Sequence, residues 1–314
     1  MIVCVAANPS VDKLFEIEEL HPGGIHRPDG FVQVAGGKGL NAARAGRALG
    51  ADVRAVALLR GHTGRWIEEQ LSAEGVAVSA VWTHGENRSS LSVADRKTGG
   101  LTEFYEHGAE VPSSSWAEVL HTVSELLPDA SWLTISGSLP PGAPDDGYRD
   151  LVAEARAAGV RIALDSEGER LRLAMWARPD VVKVNASEAA GLLGVATATA
   201  GDALVAAREL RARAGGDGHA GIVTRGADGV VLCALDGSAW EGRLYVRGRY
   251  PVGSGDAFLA GLVVALERGD DWEGALALAL GAAAANAELP GAGRLDPARA
   301  VELAAKARVR PLDG

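Results

Sequence analysis

The strongest constraint on the fold is an alternation, along the whole chain, of short apolar runs with longer segments of helical period. The runs are rich in Val, Ile and Leu and do not alternate with polar residues, which is typical of strands buried on both faces. Strands separated by helices in this way form a parallel sheet that is covered by helices on both sides. The sequence therefore predicts an α/β fold with a mostly parallel central sheet.

The pattern also gives approximate bounds for the elements. The predicted strands are 2–6, 53–59, 132–136, 161–165, 181–184, 221–225 and 230–235. The predicted helices are 40–49, 64–74, 116–127, 148–158, 187–193, 202–214, 256–268, 272–287 and 297–307.

Two segments, 10–34 and 88–106, interrupt this rhythm with alternating polar and apolar residues and no helical period. This pattern predicts extra strands outside the main sheet, which would form a small lid. The alternative is a pair of surface hairpins without function. The chain contains no internal repeat, low-complexity tract or linker. We therefore expect residues 1–314 to form a single domain that includes both lid segments.

Composition excludes several classes of protein. The formal net charge of −10 argues against a nucleic-acid or anionic-membrane partner, although a local basic pocket remains compatible with it. Cys4 and Cys233 lie far apart in apolar runs, which fits a reducing cytosol and neither a disulfide framework nor a zinc site. The longest apolar stretches are shorter than the roughly 18 residues that cross a bilayer, and no basic leader precedes the first strand. The expected location is cytoplasmic.

A glycine-rich turn at 250–258 leads directly into a strongly apolar helical segment. The first amides of a helix lack partners within it and lie at the positive end of its dipole, so they can bind an anion. Gly253 and Gly255 carry no Cβ and allow the anion to approach closely. Asp256 would lie beside that anion, where its carboxylate can accept a proton from an attacking hydroxyl. The alternative is that Asp256 only caps the helix.

A second glycine-rich turn, at 34–42, also opens a predicted helix and adds the charge of Lys38 and the amide of Asn41. The alternative is an ordinary turn with a solvated lysine. Its spacing is not that of a Walker A loop, and no Gly-x-Gly-x-x-Gly follows the first strand. The chain also lacks His-Glu-x-x-His and Gly-x-Ser-x-Gly, so dinucleotide oxidoreductase, zincin and α/β-hydrolase chemistry lose support.

A third turn, which contains Ser138, follows the predicted strand 132–136. Ligands of open parallel sheets bind at the carboxyl ends of the strands, although a rigid Pro/Gly turn is the alternative here. Two helix starts that can hold anions, one beside a carboxylate and the other beside a lysine, together favour phosphoryl transfer. In that reaction positioning and charge stabilisation supply most of the catalysis.

These turns resemble the paired signatures of the ribokinase-like (PfkB) sugar kinases, as Gly36-Gly37-Lys38-Gly39-x-Asn41 and Val252-Gly-Ser-Gly-Asp-Ala-Phe258. Segments 8–12, 136–140 and 164–169 and the pair Thr102-Glu103 are similar to motifs of 1-phosphofructokinases and tagatose-6-phosphate kinases. The resemblance covers essentially the whole chain. It implies a ribokinase-like three-layer α/β/α sandwich with a small β-sheet lid, which closes over the sugar and can mediate a homodimer.

The resemblance also implies roles for individual residues on the acceptor side. Asp256 would be the catalytic base, and Gly253, Ser254 and Gly255 would form the anion hole for the transferring phosphoryl group. Sugar hydroxyls would bind Asp12 together with Gly36, Gly37 and Asn41. The phosphate already on the sugar would be held by Lys38 and Arg88, with Arg27 and Ser138 as further candidates, since arginine and lysine suit phosphate recognition.

On the nucleotide side the resemblance implies ATP and Mg²⁺. Lys183, Asn185 and Glu188 match the family's Lys-Pro-Asn-x-x-Glu, in which Glu188 would contact Mg²⁺ through water. Asn185 and Glu188 also fit a helix capping box, and both roles are compatible. The remaining candidates for nucleotide binding are Thr224, Gly226, Gly229 and, near the adenine, Asn286.

The expected reaction is transfer of phosphate from ATP to a ketohexose monophosphate, with fructose 1-phosphate as the first choice. Tagatose 6-phosphate, fructose 6-phosphate or another sugar remain open, because Asn87 and Ser90 depart from the residues that flank the subfamily's arginine. Val184, Arg225 and Pro251 also depart from the family pattern and leave the nucleotide preference open. A sugar-phosphate-binding regulator without activity is the alternative from another functional class.

Overall fold

The computed structural model describes residues 1–246 and 248–312. The strands in chain order are β1 (Ile2–Ala6), β2 (Ser10–Ile17), β3 (Gly30–Gly36), β4 (Val53–Arg60), β5 (Ala77–Thr83), β6 (Arg88–Asp95), β7 (Leu101–Tyr105), β8 (Trp132–Ser136), β9 (Arg161–Asp165), β10 (Val181–Asn185), β11 (Ala220–Thr224), β12 (Val230–Cys233), β13 (Ala239–Arg243) and β14 (Arg308–Pro311). The helices are α1 (Lys38–Ala48), α2 (Gly61–Ala73), α3 (Ser113–Leu126), α4 (Gly147–Ala157), α5 (Gly168–Met175), α6 (Ala186–Leu193), α7 (Ala200–Ala214), α8 (Ser254–Arg268), α9 (Trp272–Glu288) and α10 (Pro297–Ala304).

The larger sheet has the strand order β14-β13-β12-β11-β10-β9-β8-β1-β4-β5. The strands from β5 to β11 in this order are parallel, as the apolar runs predict, whereas β12, β13 and β14 are antiparallel to their neighbours. The prediction of a mostly parallel sheet is confirmed, and the antiparallel placement of β12 follows from its short connection. Only the short 3₁₀ turn Gly226–Asp228 joins it to β11, and a parallel pair needs a crossover of a dozen or more residues.

Helices cover both faces of this sheet, which confirms the three-layer sandwich. Along β1 the side chains alternate between the two layers: Ile2 and Cys4 pack into one apolar core, and Val3 and Val5 pack into the other. Buried residues of α1, α2, α8, α9 and α10 belong to the first core, and those of α3 to α7 belong to the second. Within the described part of the chain, no helix is long and apolar enough to cross a membrane.

The predicted lid segments form a separate four-stranded sheet with the order β3-β2-β6-β7. β2 pairs antiparallel with β3 and parallel with β6, and β6 pairs antiparallel with β7. The segments 10–34 and 88–106, distant in sequence, therefore meet along the β2–β6 pair and are not two separate hairpins.

Gly39 fixes how closely α1 approaches the end of β1. A Cβ at this position would lie 2.2 Å from the carbonyl oxygen of Val5. We expect Gly39→Ala to lower the free energy of unfolding by about 1–3 kcal/mol, since added atoms in a packed interior force backbone shifts. Chemical denaturation measures this effect.

Gly191 provides the matched control for this prediction, because it is also helical and a Cβ there would meet nothing within 4 Å. Gly191→Ala is expected to stabilise the protein by about 0.5–1 kcal/mol, the difference in helix propensity. Equal stabilities for the two variants would contradict the proposed close approach of α1 to β1.

Candidate active site

A cavity of about 1320 Å³ lies between the lid sheet and one edge of the larger sheet. The carboxyl ends of the parallel strands meet at this edge, which is where ligands bind in folds of this kind. From that edge the cavity is lined by residues that include Asn8, Ser136, Lys183, Asn185 and Thr224. From the lid it is lined by residues that include Asp12, Val34, Ser90, Glu103 and Tyr105.

Asp256 lies in the first turn of α8 and lines the cavity although it is only 5% exposed. Asn41 Nδ2 donates a hydrogen bond of 2.8 Å to its Oδ2. Burial and the nearby charge of Asp165 raise the pKa of Asp256 to about 7, against the opposing charge of Lys38. The helix N-cap is Gly253, and the cap makes no side-chain hydrogen bond, so capping does not account for Asp256. A carboxyl that ionises near neutrality suits general base catalysis.

The turn before α8 offers two backbone amides to the cavity. Gly253 has a left-handed backbone (φ 82°), where a side chain would be strained. The amide of Ser254 donates to Pro251 O at 3.1 Å, and the amide of Asp256 donates to Gly253 O at 3.1 Å. Among the described residues, the amides of Gly253 and Gly255 have no acceptor. Two of the three predicted anion-hole amides, those of Gly253 and Gly255, are therefore free to bind an anion.

Asn286 lies behind this turn. The side chain is fully buried, and its Nδ2 donates to Val252 O at 2.9 Å and to Ser254 Oγ at 3.2 Å. Its Oδ1 accepts from the amide of Gly293 at 2.7 Å. Asn286 is not part of the cavity wall, and its contacts indicate that it holds the turn in place. Its position near the adenine stays a prediction.

A buried ion cluster that the motifs had not identified lies beside Asp256. Asp165, at the end of β9, is 0% exposed and accepts from Lys183 Nζ at 2.6 Å and from Lys38 Nζ at 3.3 Å. Lys38 Nζ also contacts Glu188 Oε1 at 3.2 Å. Burial alone would raise the pKa of Asp165, but the charges of Lys183 and Lys38 outweigh it and lower the pKa.

On the acceptor side the glycines of the second turn lie against Asp12. A Cβ on Gly36 would lie only 1.9 Å from Asp12 Oδ2, and the Gly37 amide donates to that oxygen at 3.4 Å. Ser10 Oγ donates to Asp12 Oδ1 at 2.6 Å. Gly36 and Gly37 therefore make room for the Asp12 carboxylate and hold it at the cavity wall.

Arg88, at the start of β6, lines the same side of the cavity. Its Nε donates to Asn8 O at 3.3 Å and its Nη1 donates to Ser90 Oγ at 3.2 Å. Asn8 Nδ2 in turn donates to Ser138 Oγ at 3.2 Å. Burial lowers the pKa of Arg88 from its ordinary value. Arg88 makes no side-chain ion pair in the described residues, so its charge is available to an anionic ligand.

The structure does not bring all predicted phosphate ligands together. Lys38 pairs with Asp165 and Glu188, whereas the hydrogen bonds of Arg88 go to Asn8 and Ser90. Arg27 is exposed in the irregular segment between β2 and β3 and is not part of the cavity wall. Arg88 and Ser138 remain as the predicted phosphate ligands that share one side of the cavity.

On the predicted nucleotide side, Thr224 and Gly226 line the cavity. Gly229 does not line the cavity. Its φ is 93° and a Cβ on it would lie 2.2 Å from Gly242 O, so the turn between β11 and β12 requires glycine here. Asn185 and Glu188 form the predicted capping box at α6: Asn185 Oδ1 accepts from the Glu188 amide at 2.8 Å, and Glu188 Oε2 accepts from the Asn185 amide at 2.7 Å.

The side chains of the cavity could hold Mg²⁺ only together with the phosphates of the nucleotide. The described residues contain no group of three or more His, Cys, Asp or Glu that could hold a metal ion. Both oxygens of Glu188 already accept hydrogen bonds. Mg²⁺ commonly keeps several waters and binds through one or two carboxylates together with substrate phosphates. A contact from Glu188 through water fits this arrangement.

Asp165, Glu103 and Tyr105 are the main cavity or cluster residues to which sequence analysis gave no role. Asp165 ends a predicted strand, so the rule for carboxyl ends of parallel strands could have identified it. Tyr105 Oη donates to Glu103 Oε1 at 2.5 Å on the inner face of the lid. Their inward direction depends on the pairing of β6 with β7, which the sequence did not specify.

Comparisons with known proteins agree on one family. The family model described as pfkB family carbohydrate kinase matches residues 4–299. The 1-phosphofructokinase of Haloferax volcanii is 36% identical over 270 residues, covering 86% of this chain and 85% of the relative. The 1-phosphofructokinase of Rhodobacter capsulatus is 31% identical over 275 residues, with 86% and 85% coverage.

Solved structures show the same fold. Phosphofructokinase-2 from Escherichia coli in complex with substrates and products superposes with a TM-score of 0.88 at 25% identity and covers 97% of this chain and 98% of its own. The ribokinase of Arabidopsis thaliana, complexed with ribose and ATP, superposes with a TM-score of 0.76 at 22% identity and covers 96% and 98%.

Proposed function

This chain belongs to the pfkB family of carbohydrate kinases and is an ATP-dependent phosphotransferase, and we propose that its acceptor is a ketohexose monophosphate, with fructose 1-phosphate as the first choice. The observation that carries this proposal is the position of the Arg88 guanidinium. It lines the cavity near Asp12 and has no ion-pair partner among the described residues. An uncharged sugar would leave that guanidinium without an ion-pair partner, although the charges of Asp12 and Glu106 act on it from a greater distance. The names of the Haloferax volcanii and Rhodobacter capsulatus relatives support the same acceptor.

In the proposed reaction Asp256 removes the proton from the acceptor hydroxyl. The oxygen of that hydroxyl attacks the γ-phosphoryl group of ATP, and the bond from that group to ADP breaks. The amides of Gly253 and Gly255 stabilise the charge on the phosphoryl oxygens, and the hydrogen bond from Asn41 orients the carboxylate of Asp256. Magnesium, which Glu188 would contact through water, would neutralise part of the phosphate charge when bound with the nucleotide.

The acceptor is held by Asp12 and by the Arg88 side of the cavity. Asp12 accepts hydrogen bonds from sugar hydroxyls, and Asn41 donates a hydrogen bond to a sugar hydroxyl. Arg88 and Ser138 bind the phosphate already on the sugar. The ion pairs of Lys38 place its charge beside Asp165 and Asp256, so we assign Lys38 to the transferred phosphoryl group and the distal phosphate to Arg88. Lys183, Thr224 and Gly226 contact the nucleotide.

We also propose that the lid sheet pairs with that of a second copy of the chain. Large apolar side chains are exposed in the lid, namely Ile25, Phe31 and Phe104. Light scattering of the purified protein measures the mass in solution, and a mass of one chain at micromolar concentration would contradict this part of the proposal.

The proposed acceptor is tested by ADP release with Mg²⁺ and ATP across a panel of fructose 1-phosphate, fructose 6-phosphate, tagatose 6-phosphate, fructose, ribose and adenosine. We expect turnover only with phosphorylated ketohexoses and the highest kcat/KM with fructose 1-phosphate. Preference for another ketohexose phosphate would replace the acceptor but keep the role of Arg88. Turnover of only a neutral sugar or a nucleoside would overturn both.

Arg88→Ala is expected to raise the KM for the phosphorylated sugar by about 10–10²-fold and to leave the KM for ATP nearly unchanged. The loss of a charge-assisted contact of about 1.5–3 kcal/mol accounts for this magnitude. Steady-state kinetics with each substrate varied in turn measure both constants. Arg96→Ala is the matched control, because Arg96 follows the same strand but pairs with Glu18 and Asp29 at the surface of the lid. Equal rises in the two KM values for Arg88→Ala would remove it from the acceptor site.

The pH profile of kcat should show an acidic limb near pH 7. The pKa of Asp256 is raised to about 7, and only its ionised form can accept a proton. The rate should therefore rise tenfold per pH unit below this pKa and level off above it. Rates at saturating substrate from acid to mildly alkaline pH measure the limb. A flat profile across neutrality would contradict the assigned base.

A further inference from the structure

Arg44 is a buried charged side chain to which the proposed reaction gives no role. It lies on α1, one turn after Asn41, and is 4% exposed. Its Nε donates to Glu74 Oε2 at 2.6 Å, its Nη1 donates to Ala292 O at 2.9 Å, and its Nη2 donates to Ala35 O at 2.5 Å. These partners belong to the end of α2, the loop after α9 and β3. One guanidinium therefore joins α1 to three segments that are distant in sequence.

A fourth contact of this guanidinium reaches the amide that is hydrogen-bonded to Asp256. Arg44 Nη1 lies 3.4 Å from Asn41 Oδ1, while Asn41 Nδ2 donates to Asp256 Oδ2 at 2.8 Å. A guanidinium can only donate hydrogen bonds, and an ionised carboxylate can only accept them. If the amide turned over, its N–H groups would face the guanidinium and its oxygen would face the carboxylate. The two neighbours therefore select the orientation in which Asn41 donates to Asp256.

The guanidinium of Arg44 is itself fixed in position. Its partner Glu74 also pairs with Arg294, whose Nη2 lies 3.4 Å from Glu74 Oε1. Burial lowers the pKa of Arg44, the charge of Glu74 raises it, and the charges of Arg294 and Asp12 act in opposite directions. Arginine remains protonated in this setting because its ordinary pKa is so high. A buried cation that is bonded to a carboxylate and to backbone carbonyls provides a fixed point against which the Asn41 amide is oriented.

The carboxyl of Asp256 faces charged side chains from three elements. Burial and the charge of Asp165 on β9 raise its pKa, and the charges of Lys38 on α1 and Lys183 on β10 lower it. Asn41 donates the side-chain hydrogen bond that this carboxyl accepts, and that bond also lowers the pKa. A hydrogen bond to the ionised form of a carboxyl favours that form. The orientation of the Asn41 amide therefore helps to set the fraction of Asp256 that is ionised near neutrality.

We propose that Arg44 is a positioning residue for phosphoryl transfer, because it holds the Asn41 amide with its N–H groups turned towards Asp256. Asn41 lines the cavity and Arg44 does not, so Arg44 acts through Asn41 and not on a substrate. The inference rests on the proposed role of Asp256 as the base and adds the residue that fixes the hydrogen-bond partner of that base.

The test is the pH profile of kcat for Arg44→Met, measured beside that of wild type. Without the guanidinium the Asn41 amide can turn over, and the ionised carboxylate of Asp256 then loses its donor. The acidic limb should therefore move to higher pH by about one unit. From this shift alone the rate at pH 7 should fall about fivefold. A variant that is slower at every pH but keeps the limb in place would overturn the inference, since a purely structural role has that result.

Arg47→Met is the matched control. Arg47 lies on the same helix, one turn after Arg44, and its Nε donates to Gly75 O at 2.9 Å. Like Arg44 it joins α1 to the end of α2, but it is exposed and does not contact Asn41. The limb of this variant should stay where it is in wild type. An equal shift in the two variants would mean that the packing of α1 against α2 sets the profile, and the inference would fail.

A double-mutant cycle separates positioning from a direct effect of the arginine charge. Asn41→Ala removes the donor and should itself move the limb to higher pH. Adding Arg44→Met to this variant should produce no further shift, because the amide that Arg44 orients is absent. A further shift of the same size would show that the charge of Arg44 acts on Asp256 directly and would overturn the inference.

Arg44→Lys replaces Arg44→Met in the same cycle if the methionine variant does not fold. Its ammonium keeps the charge and can pair with Glu74, but one nitrogen cannot maintain all four contacts of the guanidinium. We expect the limb to move to higher pH in this variant as well, and only while Asn41 is present. A limb that stays in place would mean that the charge alone matters, which contradicts positioning.

A titration of the Asp256 carboxyl by carbon NMR keeps this outcome separable from that of the proposed function. The protein is labelled at its aspartate carboxyl carbons, and Asp256→Asn identifies the signal, so no turnover is needed. If the carboxyl titrates at higher pH in Arg44→Met but the rate of wild type does not follow its ionisation, the positioning holds and the assigned base is wrong. If the rate follows the ionisation in wild type and Arg44→Met moves neither the titration nor the limb, only the inference is wrong.

Discussion

Asp256→Asn is expected to lower kcat by at least about 10²–10³-fold while ATP binding is retained. Asparagine has the shape of aspartate, so the hydrogen bond from Asn41 and the start of α8 can persist. The variant loses only the ability to accept the proton of the acceptor hydroxyl. Single-turnover kinetics measure the chemical step, and calorimetry with ATP measures binding. A near-normal kcat would exclude Asp256 as the base.

The stability of the same variant provides an independent check. The pKa of Asp256 is raised from 3.8 to about 7 in the folded protein, so the folded state binds the proton more tightly than the unfolded state. The resulting stabilisation is complete below the unfolded value and is lost as the pH rises through the folded value. A residue that cannot ionise avoids this loss, so Asp256→Asn should melt at the same or a higher temperature than wild type at mildly alkaline pH. A large decrease in Tm would mean that lost activity reports lost structure.

The parallel core of the fold was predictable from sequence because its strands are buried on both faces. The runs at β1, β8 and β9 were placed with the bounds observed, since no charged residue lies within their interiors. β5 was missed because it lies at the sheet edge and mixes exposed and buried positions. β14 was missed for a similar reason: it is a short edge strand with arginines at two of its four positions.

The site could be predicted where a motif fixes the backbone. It could be predicted less well where the contacts of long side chains depend on the tertiary structure. The turn before α8 has the predicted form because glycine alone relieves the left-handed backbone at Gly253. Lys38 was predicted beside Arg88, but its flexible side chain reaches Asp165 and Glu188 instead. The pairing of Lys38 with Asp165 and Glu188 depends on β9 and β10 lying next to each other in the sheet. No local sequence pattern predicts this adjacency. The support that Asn286 gives to the turn before α8 depends on the packing of α9, which no motif indicates.

Asp165→Asn should be the most destabilising conservative change at the site. Asp165 is fully buried and accepts from both Lys183 and Lys38, of which Lys183 has a side chain only 4% exposed. Removing one member of a buried ion pair typically costs about 3–5 kcal/mol, because the remaining charge is left without compensation. Chemical denaturation measures the free energy of unfolding. Asp146→Asn is the control, since Asp146 forms a half-exposed pair with Arg149 and should change stability by less than about 1 kcal/mol. Equal losses for the two variants would contradict the buried-cluster interpretation.

The same substitution also tests the electrostatic coupling between the cluster and the base. The charge of Asp165 helps to raise the pKa of Asp256, whereas the charges of Lys38 and Lys183 lower it. Without the Asp165 carboxylate one of the two causes that raise the pKa of Asp256 is lost, while burial and the lowering effect of both lysines remain, so its pKa should fall. The acidic limb of the kcat profile of Asp165→Asn should therefore lie at lower pH than that of wild type, even where the overall rate is reduced. A limb that stays in place would mean that a group other than Asp256 sets the profile.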